Sequence, residues 1–186
     1  MSDASRTAPG APAPGGIVPD TKDWTWTLER PCPDCAFDAG TVPAADIASR
    51  VTAYTTPWTE VLARPDVATR PDPGTWSALE YGCHVRDVCD LFAERVALML
   101  ETDGAPFENW DQDATAVEKA YADQSPSEVA AQLPLAAARL SSAYAGLSPE
   151  QLGRRGVRSN GSEFTVLTLG QYGLHDLAHH LWDVRA

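Results

Sequence analysis

Four histidines stand in a chain of 186 residues, and all four fall in two segments. His84 lies in WSALEYGCHVRDVCDLFAERVALML. His175, His179 and His180 lie in LGQYGLHDLAHHLWDV. His175 and His179 are four apart, so on a helix they share one face. With His84 from another helix they would form a facial site of three imidazoles with a fourth position open. Such a site takes one divalent metal: Zn first, with Ni, Fe or Co also suited. His180 sits about 100° around the helix from His179. It reads as a support for the ligands or a surface residue, not as a ligand. Carboxylates stand close in sequence. Asp87 follows His84 by three, Asp183 follows His179 by four, and Asp176 adjoins His175. A ligating imidazole usually donates its other N–H to such a group. A solvated acidic face is the plainer alternative for each.

Cys32 and Cys35, in CPDC, have the spacing of half a zinc knuckle or of a redox dithiol. Cys83 and Cys89 are six apart and would point about 120° from each other on a helix, so they do not complete a knuckle. A loop staple, a redox pair and an incomplete metal site all stay open for CPDC.

The elements that must carry these residues are mostly helices. Ile47, Val51, Tyr54, Trp58, Val61 and Leu62 recur at spacings of three and four, predicting a helix over 44–62 that Pro57 kinks. A second helix is predicted over 76–101, with Ser77 or Thr75 at its start and Glu80 closing a capping box on Ser77. A short helix is expected near 114–123. A third long helix, over 127–145, carries Pro134 inside it and should bend there. GVRSNGSEFTV reads as a small hairpin or turn with Asn160 and Gly161 at the tip. The last helix covers 166–184. Four long helices with long connections give an all-α fold, a four-helix bundle over residues 42–186. Residues 21–41 form an irregular arm that Trp24, Trp26, Leu28 and Phe37 can anchor. Residues 1–20, rich in Ala, Pro and Gly, are expected to be disordered.

Net charge is −12, which argues against a nucleic-acid partner, since phosphate contacts need clustered Lys and Arg. No apolar run approaches the roughly 20 residues that span a bilayer. The first residues show no apolar signal core, so a cytoplasmic protein with reduced cysteines is expected. Two Lys against twelve Arg, with abundant Ala and Pro, suggest a GC-rich, actinobacterial source.

The pairing of W-S-x-x-E-Y-x-x-H-x-x-D on one helix with H-D-x-x-H-H on the last resembles the DinB superfamily. It also resembles the metal-binding domain of mycothiol-dependent maleylpyruvate isomerase. The resemblance implies a four-helix bundle holding one divalent metal through one ligand on an early helix and an i,i+4 pair on a later one. Those positions fall on His84, His175 and His179. In the isomerase the first residue of the later pair is Glu, and His175 departs from that, closer to the DinB pattern. The resemblance further implies a thiol transferase or thiol-dependent isomerase, with mycothiol as cosubstrate and a small electrophile as substrate. A metal-bound thiol is deprotonated at neutral pH, whereas a free thiol has a pKa near 8.5. Arg158 and Asn160 in the turn before the last helix, and Trp110, are candidates to line the mouth and bind the thiol or its substrate. Bundles of this kind often dimerise, which keeps a homodimer open. Two competing functions remain: a non-catalytic metal-binding bundle in stress response or assembly, and a metal-dependent hydrolase with Asp87 or Glu80 as general base.

Overall fold

The computed structural model describes residues 16–20 and 22–185. Most of the expected disordered tail, residues 1–15, lies outside the described residues. The long helices follow the apolar periodicity. The first is divided at Pro57 into α1 (Ile47–Thr55) and α2 (Trp58–Leu62). Helix α3 runs Ala78–Glu101, α4 Gln112–Glu118, α5 Pro126–Tyr144, α6 Pro149–Leu152 and α7 Val166–Asp183. Serine and threonine hydroxyls satisfy the free amides at several starts. Ser77 and Glu80 close the predicted capping box on α3. Ser125, with Pro126 at the first helical position, starts α5. Thr165 and Thr168 close a further box on α7. Helix α5 continues through Pro134.

Helices α1, α3, α5 and α7 form the bundle. α3 packs on α5 and α7, and α1 packs on the same two. Going around the bundle the order is therefore α1, α5, α3, α7, with α1 and α3 on one diagonal. The core between them holds Ile47, Trp58, Leu79, Val88, Met99, Leu133, Leu140, Leu169, Leu174 and Leu177. Among the described residues, no helix is long and apolar enough to cross a membrane.

A three-stranded sheet closes one end. The predicted hairpin is β2 (Arg155–Arg158) and β3 (Glu163–Thr165), antiparallel, with Gly161 at φ +93° in the turn. A third strand, β1 (Ala105–Phe107), adds in parallel to β2 and was not anticipated. Residues 22–46 are irregular, with three short 3₁₀ turns at Thr25–Leu28, Ala39–Thr41 and Ala44–Asp46, the last lying where the first helix was expected to begin. The arm lies on α7, where Gln171 Nε2 donates to the carbonyls of Gly40 (3.2 Å) and Val42 (2.9 Å).

Candidate metal centre

Helix α7 carries three stripes. Gly170, Leu174, Leu177 and Leu181 face the core. Gln171, His175 and His179 face the arm. Tyr172, Asp176 and His180 face α3 and a cavity beside it. The sequence H-D-x-x-H-H thus contains two i,i+4 pairs one residue out of step, and each pair joins a different partner.

The structure brings His84 to Asp176 and His180, not to His175 and His179. The expected all-histidine triad is therefore redrawn. His84 Nε2 lies 3.4 Å from Asp176 Oδ1, and His180 Nε2 lies 3.6 Å from the same oxygen. Two ligands about 2.0–2.1 Å from a zinc ion, at a tetrahedral angle, are about 3.3–3.4 Å apart. His84 is fully buried, and neither of its ring nitrogens has a hydrogen-bond partner. Asp176 Oδ1 is also buried without one. Unpaired buried polar atoms are costly and need a reason; a cation held by these three groups would supply it for His84 Nε2 and Asp176 Oδ1, though not for His84 Nδ1. The donor set, two imidazoles and one carboxylate, fits a divalent metal.

Surrounding groups fix the rings. Asp183 Oδ2 lies 2.8 Å from His180 Nδ1, so the carboxylate accepts a hydrogen bond from Nδ1–H and leaves Nε2 free to ligate. His180 is thus a ligand candidate, with Asp183 against its other ring nitrogen where the sequence had set it beside His179. Trp110 stacks on His84 with ring centroids 5.1 Å apart and planes 12° apart, and Trp76 packs at 5.3 Å. Burial opposes charge on His84 and holds its pKa below the ordinary imidazole value, despite Asp176. Burial also works to raise the Asp176 carboxyl, but His84 and His180 outweigh it and hold it at about 2. On His180 burial is outweighed in the other direction, by Asp176 and Asp183, and its pKa is raised. Asp176 is therefore an anion at neutral pH, as a metal ligand must be.

Asp87 does not support His84. It accepts from Arg86 Nε (2.8 Å), Lys119 Nζ (2.9 Å) and Tyr121 Oη (2.6 Å), which tie α3 to the segment after α4. Those donors hold its pKa down against burial. Glu80 is likewise committed, to the cap of α3 and to Arg70. Neither is placed to act as a general base at the triad.

The triad opens on a cavity of about 430 Å³ whose lining includes Trp24, Tyr81, Asp113, Asp176, His179 and His180. It runs into a larger groove of about 910 Å³, which Asp20, Lys22, Trp110, Arg158, Asn160 and Tyr172 border. The three residues expected at the mouth are thus on its wall. Arg158 donates to Asn160 Oδ1 (2.9 Å) and Ser162 Oγ (2.9 Å). Asp113, from α4, went unnoticed in the sequence. Burial raises its carboxyl above the ordinary range.

His175 and His179 meet the arm instead. Trp24 packs against both rings, at 5.5 and 5.2 Å. Cys32 and Cys35 lie beside them.

A model of the DinB superfamily matches residues 47–184. No curated protein matches. Among solved structures, YfiT from Bacillus subtilis is similar, with a TM-score of 0.63 at 20% identity over 75% of this chain and 81% of that one. YfiT is described as a probable metal-dependent hydrolase with an unusual four-helix bundle topology.

Proposed function

For this chain, which belongs to the DinB superfamily, we propose the function of a divalent-metal-dependent enzyme that transfers a low-molecular-weight thiol, or isomerises a substrate with its help. The thiol is of the mycothiol type, the second substrate is a small electrophile, and the metal is zinc, with nickel, iron or cobalt as substitutes. One observation carries the reading: His84 Nε2, Asp176 Oδ1 and His180 Nε2 converge, and Asp176 and His180 line a cavity that shares walls with a larger groove.

Three protein ligands leave a coordination position for a reactant. When bound there, a divalent cation acts as a Lewis acid and lowers the pKa of a thiol at that position. Asp176 cancels one of its two positive charges, and the remainder favours an anionic sulfur. The chain's own groups do the rest. Asp183 sets the His180 tautomer. Trp76 and Trp110 hold the His84 ring and exclude water from it. Arg158, Asn160 and Tyr172 offer polar groups along the groove for the thiol or the electrophile. The pair that faces His84 has its carboxylate first, as the isomerase has Glu first, which suits thiol-dependent isomerisation as well as transfer.

The test is an assay of zinc-loaded protein with a fluorogenic electrophile and mycothiol, bacillithiol or glutathione in turn. Turnover should need metal and favour one thiol, and His84→Ala and Asp176→Asn should abolish it. Equal turnover in metal-free protein, or indifference to the thiol, would overturn the reading.

One observation favours a second reading, hydrolysis: Asp113 lines the same cavity with a raised pKa, which suits a proton acceptor beside the triad. Thiol-independent cleavage of an ester or amide panel, lost in Asp113→Asn, would select it.

A further inference from the structure

We propose that Cys32, Cys35, His175 and His179 form a second metal centre, a closed zinc site that fastens the N-terminal arm to α7. Their ligand atoms lie within 4.8 Å of one another. Cys32 Sγ is 3.6 Å from His179 Nδ1. Sulfur and nitrogen at about 2.3 and 2.0–2.1 Å from one zinc, at a tetrahedral angle, are about 3.5 Å apart. His175 is 4% exposed, and its Nε2 is buried with no hydrogen-bond partner. His179 turns its other nitrogen, Nε2, toward Asp183 Oδ1 at 3.9 Å.

The arm is shaped to present both sulfurs. Residues 32–37 fold back on themselves, with Cys32 N donating to Phe37 O and Ala36 N to Cys32 O, both at 2.9 Å. Ala36 adopts φ +59° to make this turn, a left-handed conformation that is unfavourable for a residue with a Cβ. Two thiolates and two imidazoles fill a tetrahedral zinc shell and leave no position for a reactant. The role is therefore to hold structure, in contrast to the open triad one residue further along the helix. A redox dithiol would give no role to His175 and His179, whose ring nitrogens converge with the two sulfurs.

The centre has a consequence for the enzyme site. Lys22 and Trp24 of the arm, with Asp20, form part of the cavity that Asp176 and His180 line. Fastening the arm at Cys32 and Cys35 holds that wall in place.

The experiment is metal analysis of full-length protein loaded with Zn²⁺, then with Co²⁺, beside two variants. The wild type should hold two ions per chain. The double variant Cys32→Ser, Cys35→Ser should hold one, and His84→Ala should also hold one. Cobalt-loaded wild type and His84→Ala should show the near-ultraviolet thiolate-to-cobalt charge-transfer band, and the double variant should lack it. The band on the wild type does not depend on any variant folding. A wild type without the band, full metal content in the double variant, or a Cys32–Cys35 disulfide in freshly purified, metal-loaded protein would overturn the proposal. Loss of metal from the triad alone would leave this band intact, so the two sites fail separately.

Discussion

Asp183→Asn isolates the group that supports both centres. In the native chain the Asp183 carboxylate is 2.8 Å from His180 Nδ1 and 3.9 Å from His179 Nε2. The asparagine keeps the shape and can still accept the His180 proton, but it brings no charge. Removing such a support typically weakens metal binding about 10- to 100-fold, or about 1.4–2.7 kcal/mol. The full loss belongs at the triad, where the contact is short. A smaller loss belongs at the His179 centre, where it is long. An opposing effect depends on pH. Burial disfavours charge on His180, while Asp176 and Asp183 favour it and win. Metal must therefore displace a proton from His180 at pH values below its raised pKa. Asparagine stabilises that proton less, so the penalty of competition falls in the variant. The variant's deficit should be largest well above the ordinary imidazole pKa of about 6.5 and should shrink as pH falls. Competition titrations of Zn²⁺ against a chromophoric chelator across that range would measure it. An unchanged triad affinity at high pH, or a deficit that grows toward low pH, would refute the assignment of Asp183 as the support of His180.

Two further outcomes test the packing and the buried imidazoles. A Cβ at position 170 would sit 2.7 Å from Tyr144 Cζ, and the Tyr144 ring is pinned by its hydroxyl bond to Val166 O at 3.1 Å. Gly170→Ala should therefore cost about 1–3 kcal/mol by overpacking despite the better helix propensity, read as a lower denaturation midpoint at unchanged slope; a more stable variant would show that the α5–α7 contact yields. Burial, and then His179, lower the His175 pKa to about 4. In chelator-treated protein the unfolded chain takes up this proton below about 6.5 while the native one does not, so stability should fall between about pH 6.5 and 4 by about 3 kcal/mol from this group and level off below. Denaturant melts of His175→Gln should show a flatter dependence over that window, and an identical slope would be the contrary result.

Much of this molecule can be read from its residues. The 3–4 spacing of Val, Ile and Leu marks the long helices, Pro57 divides the first, and Asn160-Gly161 marks the hairpin. Strand β1 is three residues long, too short for any alternation to register, and α6 is a single turn set by Ser148 and Gln151. The pairing of the histidines was hidden for a different reason. On a helical wheel the His175–His179 pair lies about 150° from the core stripe at Gly170, Leu174, Leu177 and Leu181, and the Asp176–His180 pair about 110° from it on the other side. Both pairs stand off the apolar stripe, which names no partner for either. Which pair meets His84 depends on the order of helices around the bundle, with α3 on one flank of α7 and the arm against the other. The doubling was visible in H-D-x-x-H-H, where Asp176 is as good a ligand as a histidine. The two loose ends, CPDC and the unmatched pair, belonged together.

The half-step offset on α7 has a mechanical consequence. A bundle helix gripped along one line can still roll about its axis as its neighbours repack. α7 is gripped along two lines about 100° apart, by α3 on one and by the arm on the other. Any roll of α7 turns both pairs at once, Asp176 and His180 against His84 and His175 and His179 against Cys32 and Cys35. The rod can satisfy both only at one angle, so the arm sets the aim of the triad without touching it.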